Sequence, residues 1–124
     1  MGSVRTMMGS GIGGLAAQSI HSGTVNEAVS AAGSTTADAT ALVADSNVVT
    51  TAASGTGVRL PDVEVGSSVI IINGQGSNAL KVYPHSGGQV NNLSADAGGT
   101  IGASKSGIAV RVSSTHWALI GDLA

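Results

Sequence analysis

The stretch SSVIIINGQGSNALKVYP, residues 67–84, carries the strongest structural signal in the sequence and predicts two β-strands joined by a turn. Four consecutive β-branched apolar residues, Val69 to Ile72, open it, and their restricted χ1 angles suit a strand better than a helix. Because no polar residue interrupts this run, we expect both faces of the strand to be covered. Asn73 and Gly74 favour a turn, since both residue types tolerate positive φ.

The second half of this stretch is a shorter alternating segment. Its apolar residues Leu80 and Val82 are separated by Lys81, so they project to one face of an extended chain. Pro84 closes the segment. We therefore predict that residues 67–84 form a β-hairpin at the hydrophobic centre of the fold.

Two later segments complete the predicted core. The segment 108–112 alternates, which places Ala109 and Arg111 on the outer face of its strand. Trp117 begins the last strand, and we interpret it as a core anchor whose indole N–H finds a hydrogen-bond partner. The full set of predicted core residues is Val69, Ile70, Ile71, Leu80, Val82, Ile108, Val110, Val112, Trp117 and Leu119.

The composition indicates a small domain with a thin core. The chain has 124 residues, which suits one compact domain plus extensions. Much of its 42% hydrophobic content is alanine, and it has 19 Gly, one Trp, one Tyr and no Phe. Small side chains bury little apolar area, and burial contributes only about 25 cal/mol per Å². We therefore expect the domain to gain stability by association with further copies, as a homotrimer.

Charge and cysteine usage argue against several classes of partner. A net charge of −2, from five basic and seven acidic residues, argues against a nucleic-acid groove and against binding to an anionic membrane. The absence of cysteine excludes a disulfide framework or a thiolate zinc site. No apolar run approaches the roughly 20 residues of a membrane helix, and no signal-peptide core is visible. We expect synthesis in a reducing cytoplasm.

The N-terminal region predicts an extended arm. Residues 1–23 are rich in Gly and Ser, and glycine allows a backbone to follow a foreign surface closely. Residues 24–33 fit either a short helix, with capping-box spacing from Thr24 and a possible stop at Gly33, or a strand. We divide the chain into an arm, 1–33, extended or with a short helix, and a β-domain, 34–124. The arm residues expected to contact neighbouring subunits are Val4, Met7, Met8, Ile12, Leu15 and Ile20.

The remainder of the sequence predicts an all-β domain. Turn signals recur about every ten residues from residue 34 onward and separate seven or eight short strands. Pro61 marks a strand end or an edge, because proline lacks the N–H that sheet pairing needs. This pattern is typical of an antiparallel sandwich or barrel, jelly-roll-like rather than parallel. No repeat of 33 or 40 residues is visible.

Two glycine-rich segments match the dinucleotide-binding fingerprint in letters alone. Residues 9–14 match it without a preceding strand, and residues 74–79 match the alanine variant after a strand. The fingerprint requires a following helix whose N-terminus meets the pyrophosphate, whereas residues 80–83 suit a strand. We interpret residues 74–79 as a turn and predict no cofactor site.

The ionisable residues suggest no enzyme. His21, His85 and His116 are isolated in sequence, which favours surface or turn positions, although a metal site shared between subunits is an alternative. Asp62 and Glu64 project from the same face of an extended segment, as catalytic carboxylate pairs can. The valines beside them favour a solvated edge instead. We predict no catalytic residue and no metal site.

A spaced series of motifs resembles small structural proteins of tailed bacteriophages. The series consists of GTGVRLP at 55–61, ALKVYP at 79–84, GIAV at 107–110 and WAL at 117–119. The resemblance covers about residues 31–120 and leaves the arm outside. It supplies no catalytic residues.

The resemblance implies a virion protein in one of two places. The first is a capsid decoration or cement protein, a β-rich trimer on the capsid exterior that binds the major capsid protein and stabilises the shell. The second is a receptor- or glycan-binding module of a tail fibre. The sequence has no coiled-coil stalk or shaft repeat, which favours the decoration protein.

Overall fold

The computed structural model describes residues 23–123, none of which is helical, and its architecture is all-β. Ten strands form a six-stranded and a four-stranded sheet. They are β1 (Val25–Ser30), β2 (Thr40–Ala41), β3 (Ser46–Thr51), β4 (Gly57–Arg59), β5 (Ser68–Asn73), β6 (Leu80–Tyr83), β7 (Gln89–Val90), β8 (Gly99–Ile101), β9 (Ser106–Arg111) and β10 (His116–Asp122). The strand order is β1-β3-β5-β9-β10-β7 in the larger sheet and β2-β4-β6-β8 in the smaller one.

The first six strands wind as a β-solenoid. Strands β1, β3 and β5 pair in parallel in the larger sheet, and β2, β4 and β6 pair in parallel in the smaller sheet. Each turn of the chain therefore adds one strand to each sheet. Val25 aligns with Ser46, and Ser46 aligns with Ile70, so successive coils are 21 residues (25 to 46) and 24 residues (46 to 70) long.

The last four strands close one end of the solenoid. Strand β8 pairs antiparallel with β6, β9 pairs antiparallel with β5, and β10 pairs antiparallel with β9. Strand β7 lies parallel to β10 at the sheet edge. Within residues 23–123, β1 and β2 are consequently the outermost strands at the opposite end.

The predicted hairpin over residues 67–84 is wrong, because β5 and β6 lie in different sheets. The chain does turn after Asn73, but this side chain is fully buried and ties the turn to the loop after β8. Its Nδ2 donates to the carbonyl of Ile101 at 3.3 Å and to that of Gly102 at 3.1 Å. The turn-forming residues therefore predict where the chain changes direction, but not which strand pairs with β5.

The all-β prediction is confirmed, and the antiparallel, jelly-roll-like arrangement is corrected to a parallel solenoid with an antiparallel cap. Stacked parallel strands require aligned positions to face the same side of the sheet, not to repeat the same residue. Val49 of one coil, for example, aligns with Val29 of the previous coil and with Asn73 of the next. No fixed-period signal therefore appears in the sequence.

The hydrophobic core lies between the two sheets, with Trp117 fully buried in it. The core prediction is confirmed for Val69, Ile71, Leu80, Val82, Trp117 and Leu119. It is wrong for Ile70, Ile108 and Val112, which are exposed, whereas Val110 is half-buried. The alternation of β9 was assigned to the wrong face: Ala109 and Arg111 are the buried side chains. Further core residues are Val29, Leu42, Val49, Val58, Leu60, Val90 and Ile101.

The segment that fitted either a helix or a strand is a strand, β1. Gly33, proposed as a helix stop, has φ +73° in the loop that follows, and a β-carbon there would lie 2.4 Å from the carbonyl oxygen of Asp38. The Asp38 carboxylate closes this loop by accepting hydrogen bonds from the Thr35 hydroxyl and from the N–H groups of Thr35 and Ser34. These bonds, led by that of the Thr35 hydroxyl, lower the pKa of Asp38.

Candidate functional site

The outer face of the larger sheet carries a row of isoleucines. Ile70 lies opposite Ile108 on the neighbouring strand, and Ile108 lies opposite Ile120 on the next. These side chains, here called the isoleucine row, are 37%, 43% and 59% exposed respectively. Since neighbouring strands are about 4.8 Å apart, the three side chains form a continuous apolar stripe across β5, β9 and β10.

The apolar surface extends beyond the row. Ile72 is exposed on β5, and Val112 is exposed just after β9. A shallow cavity of about 310 Å³ opens beside the row; its lining comprises Ile70, Ile72, Ser106, Gly107, Ile108, Ile120 and Gly121. Gly121 has φ +136°, and a β-carbon there would lie 2.8 Å from the carbonyl oxygen of Ser106. A larger residue at position 121 would therefore displace the β9 backbone at the edge of the cavity.

The described side chains on the outer face of strands β5, β9 and β10 are also uncharged. Among the side chains that the structure describes there, none has a carboxylate, an ammonium or a guanidinium group. A continuous apolar patch of this kind typically marks a protein-interaction surface. The outward-facing residues are Ser68, Ile70, Ile72, Ser106, Ile108, Val110, His116, Ala118 and Ile120.

A buried polar cluster lies on the inner side of the same sheet. The indole Nε1–H of Trp117 donates a hydrogen bond to Nδ1 of His85 at 2.9 Å. This contact confirms that the Trp117 indole has a hydrogen-bond partner, as predicted. Nε2 of the same imidazole lies 3.3 Å from a guanidinium nitrogen of Arg111. Indole and guanidinium groups only donate, and a neutral imidazole accepts at one nitrogen only. We assign the hydrogen bond to Trp117, the shorter contact, which places the imidazole proton on Nε2.

The buried Arg111 side chain joins the sheet to two loops. Its Nη1 donates to the Asp62 carboxylate at 2.6 Å and also to the Val63 carbonyl. Its Nε and Nη2 donate to the carbonyls of Ser113 at 3.2 Å and Ser114 at 2.5 Å. The guanidinium donors are therefore used in hydrogen bonds to acceptors within this protein. The cluster holds the fold together and presents no free catalytic group.

The suggested carboxylate pair is not arranged as a catalytic pair. Asp62 is engaged by Arg111, and the hydrogen bond from that guanidinium lowers the pKa of Asp62. Its side chain is 76% exposed, which agrees with the solvated edge that its valine neighbours favoured. Asp62 and Glu64 line an open surface depression together with Val63 and Ser67.

The remaining sequence candidates do not assemble a site in the described part of the chain. Residues 74–79 connect β5 to β6 as a turn, in which the Gln75 side-chain oxygen accepts from the N–H groups of Ser77 and Asn78. Across residues 23–123, no three His, Cys, Asp or Glu side chains cluster as metal ligands would. His21, residues 9–14 and the six apolar arm residues Val4, Met7, Met8, Ile12, Leu15 and Ile20 lie outside the described residues.

Comparison with known proteins gives no assignment. No family model, no curated protein and no solved structure matches the chain. The described residues also form no helix of the length and hydrophobicity needed to cross a membrane. The sheet face and the buried cluster are the features of the described residues that bear on function.

Sequence reasoning missed both features for identifiable reasons. It counted Ile70 as a core residue because the run 69–72 shows no polar alternation that would mark one face as solvated. It counted Ile108 as a core residue because the alternation of 108–112 was assigned to the wrong face. It also treated His85 as isolated, whereas Arg111 and Trp117 reach it from strands that are distant in sequence. The one available signal was the single arginine at 111 between apolar neighbours.

Proposed function

We propose that the chain is a structural protein of a tailed-phage virion, a decoration or cement protein that binds the outer capsid surface and stabilises the shell. The outer sheet face carries this proposal, because an uncharged apolar surface suits contact with other proteins and not with a polar substrate. The motif resemblance of about residues 31–120 to phage structural proteins supplies the context. The ionisable cluster around Arg111 is used in holding the fold.

The proposal assigns different contacts to different parts of the chain. The β-domain associates with further copies of itself, and the arm contacts the major capsid protein on the capsid exterior. In the arm, Met7 and Met8 are suited to irregular pockets because methionine is unbranched and flexible. Such a protein requires no cofactor, nucleic acid or membrane.

The copy number per virion tests this proposal. Quantitative mass spectrometry of purified virions of the phage that encodes the chain is expected to count hundreds of copies, and antibody labelling should place them on the capsid. Absence of the chain from virions would contradict a structural role.

A variant of the full chain sharpens the test. Replacing Val4, Met7, Met8 and Ile12 with serine should abolish loading onto undecorated capsids while leaving the thermal unfolding of the β-domain unchanged. Serine replacements at the exposed residues Ala53 and Val43, which lie outside the arm, serve as the control. Undiminished loading of the arm variant would show that the arm does not contact the capsid.

One observation favours the tail-fibre module as a second candidate. Strands β1 and β2 are outermost at the uncapped end of the described solenoid, so a further coil of another protein could stack on them. A fibre module would be present in a few to a few tens of copies per virion, located on the tail. The same counting experiment therefore separates the two candidates.

A further inference from the structure

We infer that the outer face of the larger sheet is the interface between copies of this chain, and that three copies pack their isoleucine rows around a three-fold axis. This inference rests on the proposed structural function and names the first partner of the face, a second copy of the same chain. The isoleucine row, Ile70, Ile108 and Ile120, forms the centre of this interface.

The direction of the row fits such an axis. Residues aligned in register across neighbouring strands lie along the direction in which strands stack, which is the axis of the solenoid. Across the neighbouring strands, Ile70 aligns with Ser46, and Ser46 aligns with Val25, which is 61% exposed. The stripe therefore spans five strands, or about 19 Å at a spacing of roughly 4.8 Å. Three parallel copies turned about an axis along this stripe bring each side chain against its own equivalents.

The charge of the face fits contact with an identical copy. A face that meets itself cannot use complementary charges at equivalent positions, because every charge would meet its own sign. The described outward-facing residues of β5, β9 and β10 carry no such charge. Among the charged residues that the structure describes, Arg111 lies on the inner side and Asp62 in a loop, whereas Glu27 is exposed on β1 at the far end of the sheet.

The face is large for a surface left in water. Five strands at about 4.8 Å spacing and six residues of about 3.3 Å each give a face of roughly 24 by 20 Å, or about 480 Å². The largest apolar patches of monomers measure about 300–600 Å² and are often functional interaction surfaces.

A charge placed in the middle of the row tests the interface. In Ile108→Glu, three carboxylates would meet at the axis, so light scattering after size exclusion should give the monomer mass of 11.9 kDa. The matched control is Leu93→Glu, which places the same charge on a side chain that is 39% exposed, close to the 43% of Ile108, in the loop after β7. It should retain the trimer mass of about 36 kDa, three times 11.9 kDa. Circular dichroism should show folded β-structure in both variants.

A cross-link supplies a second measurement, because the chain contains no cysteine. Ile108→Cys should be joined between copies by a short bis-maleimide, giving covalent dimers on a denaturing gel, whereas Leu93→Cys should stay monomeric. A wild-type mass of one or two copies, an unchanged mass for Ile108→Glu, or equal cross-linking at both positions would overturn the inference. These measurements use the isolated protein, so their outcome is independent of the virion copy number that tests the proposed function.

Discussion

The two faces of strand β5 are almost equally apolar in sequence, yet they differ completely in surroundings. On the inner face, Val69 is 3% exposed and Ile71 is 0% exposed. On the outer face, Ile70 and Ile72 are 37% and 38% exposed. A strand covered on one side only normally alternates between apolar and polar residues. An unbroken apolar run is what the proposed contact with further copies requires, because that contact would cover the outer face as well.

Strand β9 makes the contrast sharper, because its outer face is the more apolar one. Its inner side chains include the small Ala109 and the charged Arg111, whereas Ile108 and Val110 face outward. A solvent-exposed strand face does not normally carry larger aliphatic side chains than the buried face of the same strand. The outer face has the composition of a buried layer, which supports its proposed contact with further copies.

The largest expected effect is on the inner side. Trp117→Ala removes the largest fully buried side chain and should lower the free energy of unfolding by about 3–5 kcal/mol, measured by urea denaturation. Trp117→Phe is the control: it keeps most of the apolar volume but leaves Nδ1 of His85 without its donor, so a smaller loss of about 1–3 kcal/mol is expected. An unchanged urea midpoint for Trp117→Ala would remove the basis for calling the inner face the core.

A paired substitution compares the two faces directly. In the monomeric Ile108→Glu background, Ile71→Ala should cost about 2–5 kcal/mol, because it leaves a cavity in the core. Ile70→Ala in the same background removes a side chain that is 37% exposed and should cost less than about 1 kcal/mol. Equal losses in urea denaturation would mean that the isolated subunit already buries both faces.

The next effect concerns the buried polar end of β5. Asn73→Ala leaves the carbonyls of Ile101 and Gly102 without their side-chain donor and should cost about 1–3 kcal/mol in thermal or urea unfolding. Asn78→Ala, which removes a donor to the Ala52 carbonyl from a half-buried position, is a comparison at the same turn and should cost less. A larger loss for Asn78→Ala would contradict the role of Asn73 as the link between β5 and the β8 loop.

The smallest effect is electrostatic and depends on pH. The pKa of Asp62 is lowered below its ordinary value of 3.8 by the hydrogen bond from Arg111, so its ion pair stabilises the folded state above that value and is lost as the pH falls through the lowered pKa. Asp62→Asn should therefore melt slightly below wild type at pH 6, and the difference should disappear in strong acid. A difference that grows on acidification would mean that the carboxylate is unfavourable in the fold.

The sequence correctly indicated the all-β fold class and several residues of the core between the two sheets. β-Branched runs and alternating segments locate strands because side-chain stiffness and the pleat act locally. Trp117 was placed in the core with a hydrogen-bond partner for its indole, and both features are present. The strand alternative for residues 24–33 was also right, because a capping-box spacing alone does not offset β-favouring residues such as Val25 and Val29.

The pairing of strands and the facing of side chains could not be predicted from the sequence. Residues 67–84 carry good hairpin chemistry, but the partners of β5 come from β3 and β9, which are distant in the chain. An isoleucine is equally compatible with a core and with an interface between copies, so Ile70 and Ile108 gave no local sign of their exposure. Likewise, the buried Arg111 depends on acceptors from loops that only the folded chain brings together.

Sedimentation equilibrium of the unmodified full chain measures whether copies of the same chain cover the outer sheet face. We expect a single species of about 36 kDa, three times the chain mass of 11.9 kDa, that persists on dilution into the low micromolar range. A species of 11.9 kDa at every concentration would contradict it, because the isoleucine row would then be exposed to water in the isolated protein.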